Sequence, residues 1–289
     1  MARRTGLPWA PTSLPEMQRQ NNRVHVEAVA RLREQGDEHL AAQAEAEIAE
    51  MAQSSLYWVS RDMVDLAVTA AETLPEWSPS AAIPDALGLL AWAKPAGVFD
   101  WPVPGSDERI PMPVDAMAWR ARDGQVGVSC AFRSDRLGGQ LGPDVARLSL
   151  LSHPIGMWDL DQPVAHRTED GRKSALSVLG AAWLLMSQVR FVETRTIRTG
   201  STGGPAAATE AEPAAAVSLI ELSRPVRASG DSDGAGQGRK SDKRWWVAGH
   251  WRQQACGPKR ALRKPVWISP HMKGDPQAEV SERVNVWRR

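Results

Sequence analysis

The sequence predicts an α+β protein in which a helical N-terminal part packs on an antiparallel sheet and a small, basic, tryptophan-rich β module follows at the C-terminus. Three observations carry this. Up to about residue 71, apolar residues recur every three to four positions. From about residue 86 the runs are short, extended in character and separated by turn residues. Residues 239–289 then hold 13 Lys and Arg against 4 Asp and Glu, whereas residues 1–80 hold 7 against 12. The net charge of +1 conceals this split, and local charge rather than the total steers partners.

Taken in order, Ser13, Leu14, Pro15 and Glu16 have the spacing of a capping box with proline in the first turn, and Gly36 ends the helix they start. Asp37 caps a second helix, on which Leu40, Ala44, Ile48 and Met51 make an apolar stripe opposite a solvated glutamate face. Ser60 begins a third helix, with Val64, Ala67, Val68 and Ala71 behind it, stopping before Pro75. Residues 87–93, 114–122 and 125–132 read as strands. Asp123-Gly124 joins the last two as a type I′ turn, because both central positions need positive φ. Residues 147–151 add a strand, 172–189 a central helix, and 191–197 a further strand on which Glu193 and Arg195 are surface charges. Residues 199–216 and 228–241 are rich in Gly, Ala, Ser and Pro without apolar period, the composition of loops. Between them 217–226 reads as a strand, with either the main sheet or the C-terminal module as its partner. The expected division is an α+β body over 14–197, a linker over 198–216, and a basic module over 217–289 with a flexible loop at 228–242.

Several function classes lose support. There is no phosphate-binding loop, nucleophile elbow, HExxH or CxxC pattern. Cys130 and Cys256 read as structural thiols, and no cofactor or metal is expected. His153 and His166, flanking Asp159 and Asp161, read as solvated loop residues. No apolar run is long enough to span a bilayer and no signal peptide is visible, so the expectation is a soluble cytoplasmic protein with no membrane partner.

Residues 243–289 carry the chemistry. Residues 244–256 and 265–270 have strand character, 284–287 would be a third strand, and a basic loop with Lys259, Arg260, Arg263 and Lys264 lies between the first two. Regular alternation puts Trp246, Ala248, His250 and Arg252 on an exposed face, and Trp245, Val247, Gly249 and Trp251 on a core face. A hairpin could bring His271 and Lys273 beside His250 and Arg252, a set able to hold a phosphate and, with two imidazoles as base and acid, to cleave an RNA phosphodiester without a metal. Against this stands the reading in which both histidines only cap strand ends. Arg244, Trp246, Lys259, Arg260, Arg263, Lys264, Arg288 and Arg289 are the expected nucleic-acid contacts. Of the tryptophans at 245, 246, 251, 267 and 287, Trp246 suits base stacking best, while core packing is the commoner role of such residues.

The run Trp246-Val247-Ala248-Gly249-His250-Trp251-Arg252, with Gly257-Pro258, Trp267-Ile268-Ser269-Pro270-His271 and Lys273-Gly274, resembles a V-x-G-H-W-R…W-I-x-P-H-x-K/R-G pattern of actinobacterial, phage and plasmid proteins. It also loosely resembles the C-terminal part of anti-CRISPR proteins that destabilise a nuclease's messenger RNA. The likeness covers about forty residues. It implies a mobile-element protein acting on RNA, with His250, Arg252, His271 and Lys273 at the matching positions. Three expectations therefore stand side by side. One is a nucleic-acid binder, RNA ahead of DNA, with or without cleavage. The second is a regulatory adaptor whose basic end meets an acidic protein, and the third a phage virion component. Oligomeric state is not legible.

Overall fold

Five residues that no alternation marks, Ser55–Val59, form the strand around which most of the protein is organised (β1). The computed structural model describes residues 7–102, 107, 109–136, 145–164, 171–189, 191–199, 215–223, 243–274, 277 and 279–280. The chain is α+β and divides into two units, 1–223 and 224–289. In the first, α1 (Leu14–Glu34) and α2 (Glu38–Ala52) form a helical hairpin ahead of β1, and α3 (Arg61–Ala71) crosses to β2 (Leu87–Trp92). Then come β3 (Val98–Pro102), β4 (Arg109–Pro113), β5 (Ala116–Arg122), β6 (Gln125–Arg133), β7 (Leu150–Asp159), α4 (Gly171–Met186), β8 (Val192–Thr199) and β9 (Ala215–Leu222).

Seven of these strands make one sheet in the order β7-β6-β5-β2-β1-β9-β8. It is mixed rather than antiparallel as expected, because β1 runs parallel to both β2 and β9. A parallel pair needs a long crossover, which α3 helps to supply, and its strands are buried on both faces. Leu56, Tyr57, Trp58 and Val59 are all buried, so the segment is uniformly apolar and shows no period of two. The strand expected at 217–226 is β9, paired with β1 and β8. The second unit therefore starts at Arg224 rather than 217, and both ends of the expected 198–216 linker belong to the sheet. Val217 and Ile220, with no exposed surface, show why: β9 covers an edge of β1 that would otherwise be open.

On one face of the sheet Leu14, Leu56, Trp58, Ala91, Ala116, Ala131 and Val217 form a core cluster. On the other, Trp119 stacks on Tyr57 (5.7 Å) and meets Trp183 of α4 edge-on (5.0 Å). Two glycines make this packing possible. A Cβ at Gly88, directly opposite Trp119, or at Gly180, beneath Trp77, would sit well inside 3.0 Å of an indole ring. The β3–β4 hairpin covers the sheet edge nearby, with Phe99 and Trp101 packed on Phe132 and His153.

Local chemistry succeeded unevenly. Asp123 (φ 52°) and Gly124 (φ 78°) make the expected turn, and Asp37 accepts from the Leu40 N–H. The capping box does not form, since Ser13 is buried in a short 3-10 turn, Pro11–Ser13, that leads into α1. Ser60 likewise makes no side-chain cap. The α2 stripe is half covered: Ala44 and Ile48 are half-buried, whereas Leu40 and Met51 stay 48% and 43% exposed, and the fully buried residue of the helix is Ala41, outside the stripe. The region around His153 is not a loop, because β7 continues to Asp159, which accepts from Gln125 Nε2 (3.1 Å). His166 lies outside the described residues. Glu193 and Arg195 are exposed on β8, and Arg195 pairs with Glu221. Burial pushes the Cys130 thiol up to about 12, in keeping with an inert core residue. No described helix is long and apolar enough to cross a membrane.

Candidate functional site

The second unit is built on two small sheets, each holding one antiparallel strand pair. Its strands are β10 (Lys243–Val247), β11 (His250–Cys256), β12 (Leu262–Ile268), β13 (His271–Lys273) and β14 (Glu279–Val280). β11 pairs with β12, and β10 with β13, while β14 adds parallel to β10. The two antiparallel pairs share one register. Continuing from Trp245 opposite Lys273 through Val247 opposite His271 arrives at His250 opposite Ile268 with no residue inserted on either side.

The pairs are separated by a break, Ala248 and Gly249 on one side and Ser269 and Pro270 on the other, and Pro270 has no N–H to contribute. Both histidines sit at this break. The His250 ring donates from Nδ1 to the Ala248 carbonyl (3.1 Å), and His271 from Nδ1 to the Ser269 carbonyl (3.0 Å). A carbonyl only accepts, so each neutral ring carries its proton on Nδ1 and leaves Nε2 for a partner. Gly249 admits the Trp267 ring, which lies where a Cβ would project and is itself 1% exposed.

Expected exposure alternates through the break. Trp246, Ala248, His250 and Arg252 are exposed, while Trp245, Val247, Gly249 and Trp251 are half-buried, even though they belong to two strands and not to one regular strand over 244–256. Trp251 meets Trp267 edge-on at 5.3 Å, making the core of the ladder. Trp246, 62% exposed, is paired directly with the exposed Met272.

The four residues of the expected cluster are divided between two strand pairs. His250 and Arg252 lie on the exposed face, whereas register sets His271 opposite Val247 and Lys273 opposite Trp245, whose ring the Lys273 ammonium approaches at 5.9 Å. His250, opposite Ile268, and His271 thus belong to two different strand pairs, and both side chains are exposed. The basic residues are not gathered on one surface either. Lys264, opposite Gln254, shares the face of Arg252, which donates to Gln254 (3.0 Å); Arg263, opposite Ala255, takes the other face. Arg244 stands on β10. Arg288, Arg289, Trp287 and the strand expected at 284–287 lie outside the described residues. Met272 and Gln254 belong to the exposed face but were not marked in the sequence, since only the register reveals their neighbours.

The loop tip is unusual. Ala261 N–H bonds the Pro258 carbonyl (3.2 Å) across Lys259 (φ 52°) and Arg260 (φ 57°), a type I′ turn with two cations at positions that favour Asn-Gly. Arg263 Nη1 braces it by donating to the Arg260 carbonyl (3.1 Å). Left-handed backbone costs a residue with a Cβ about 1 kcal/mol or more. Lys259→Asn with Arg260→Gly is expected to raise stability by about 1 kcal/mol in denaturant titrations. A double variant with lower stability would show that the turn is unstrained.

Among the described residues no three His, Cys, Asp or Glu side chains come together as a metal site. The chain matches no protein-family model, and no curated protein sequence is similar to it.

Proposed function

We propose that the C-terminal unit binds single-stranded nucleic acid, RNA ahead of DNA, along the ladder face that carries Trp246, His250, Arg252 and Lys264. One observation carries the reading: residues 243–274 contain eight Lys and Arg and no Asp or Glu, and within them stands an indole that is 62% exposed. Like charges in so small a unit repel one another unless a polyanion neutralises them. A large exposed ring with an exposed Met272 beside it is what an unpaired base covers. Alternate residues on a strand recur about every 6.7 Å, so cations and ring can follow a backbone laid along β10 and β11. Lys259, Arg260 and Arg263 extend the positive field around the tip, adding attraction that is indifferent to sequence. The motif that this stretch resembles agrees with such a role, and the proposal is one of binding, which needs only exposed cations and a ring.

The test is a titration of the full chain with a labelled single-stranded RNA of about ten nucleotides. Trp246→Ala is expected to weaken binding roughly 5- to 100-fold, the value of one stacked base. Unchanged affinity in that variant, preference for duplex DNA, or selective binding of an acidic protein would each overturn the proposal.

A further inference from the structure

Helix α1 turns toward the sheet a face that is polar where a covered helix face is ordinarily apolar. Gln18, Asn21, Asn22 and His25 fall at i, i+3, i+4 and i+7, and all four line a cavity of about 300 Å³. Its floor is apolar, made by Leu89, Ala118 and Ala131 of β2, β5 and β6, and Leu151 of β7 also lines it. Small residues at 118 and 131 leave the space open, and Trp101 supplies an aromatic wall.

The polar groups are not all occupied by the fold. Asn21 is spent on Ser149, whose N–H it accepts (2.8 Å), and on the Leu150 carbonyl, to which it donates (2.7 Å). Gln18 donates to the Met51 carbonyl (2.7 Å). The Asn22 amide, the His25 ring and the hydroxyls of Ser54 and Ser152 also line the cavity and have no side-chain hydrogen bond among the described residues. Burial holds the His25 ring below its ordinary value, toward the neutral form. Among the described residues no Asp, Glu, Lys or Arg lines this cavity, in contrast to a larger one whose lining includes Arg23, Glu27, Arg133, Asp135 and Arg147.

We propose that this cavity is a binding site for a free nucleobase or nucleoside. An uncharged lining excludes ligands that bring a formal charge, because nothing there repays its desolvation. An apolar floor with one aromatic wall suits a flat ring system. A side-chain amide and a neutral imidazole each present a donor and an acceptor, the pattern that reads a base edge. The absence of any cation in the lining sets the site against phosphates, and so against a base still within a strand. The volume is at the lower end of ligand pockets, as a small molecule of this kind requires. This inference concerns the first unit and stands independently of the nucleic-acid reading of the second.

The experiment is ligand-observed NMR and calorimetry on the full chain with adenosine, guanosine, cytidine and uridine at up to roughly 5 mM, a range that reaches weak small-ligand affinities. At least one nucleoside is expected to bind. Ala118→Leu, which fills the half-exposed floor position, and Asn22→Leu, which removes the free amide, are each expected to weaken it at least about tenfold while circular dichroism and melting stay as in the wild type. Trp246→Ala is expected to leave it unchanged. No binding by any nucleoside, full binding by the folded Asn22→Leu protein, tighter binding of the 5′-monophosphate than of the nucleoside, or full competition by a trinucleotide would each overturn the proposal.

Discussion

Arg136→Ala is expected to destabilise the first unit by about 3 kcal/mol, the largest loss from any single side chain outside the apolar core. Its partner, Asp115, is fully buried between β4 and β5, where its N–H bonds the Ala131 carbonyl (3.0 Å) and its carbonyl accepts from Trp92 (2.9 Å). The Asp115 carboxylate takes a fork from Arg136, Nε at 2.9 Å and Nη2 at 2.6 Å, and one more bond from the Arg133 N–H at 3.0 Å. Without the guanidinium, a buried charge keeps a single donor. The expected cost lies at the lower end of the ~3–5 kcal/mol seen for broken buried pairs, because the Arg136 side chain is 33% exposed and water can reach the vacated place. Thermal melting should fall by about 6–12 °C for a unit of this size. Adding Asp115→Asn should recover part of the loss, because the uncompensated charge goes with it. A double variant no more stable than Arg136→Ala would contradict the pairing.

Binding of a single-stranded RNA of about ten nucleotides is expected to weaken roughly 300-fold when monovalent salt rises from about 50 to about 200 mM. The reasoning is arithmetic. If about six of the eight cations in 243–274 neutralise phosphates, the slope of log affinity against log salt is about −4 on a single strand. Fluorescence anisotropy across that range checks it. Tight binding with a slope near zero would mean that the cations do not meet phosphates and that the proposed interface is wrong.

The two outcomes probe different physics. Loss of Arg136 reports on a charge sealed in the interior, where salt has little reach, whereas the RNA slope reports on charges that water and counterions surround. A chain that fails the first and passes the second would still carry a working C-terminal unit.

What could be read from the sequence alone is what neighbouring residues settle between themselves. Asp123-Gly124 makes its turn because both residues tolerate positive φ, and Asp37 caps α2 because its carboxylate reaches the Leu40 N–H three residues on. Exposure alternates from Trp245 to Arg252 because successive side chains on an extended backbone point to opposite faces, and that survives the break at Gly249. The basic balance of residues 239–289 was also plain. Tertiary structure decided the rest, because it depends on which distant surfaces bury each other. The apolar strand at 215–222 could have joined either unit, and only the open edge of β1 assigned it. His271 finds Val247 opposite it, and His250 finds Ile268, only once register is set. Gln18, Asn22 and His25 were not singled out by the sequence, since spacing names the face of a helix but not what covers it.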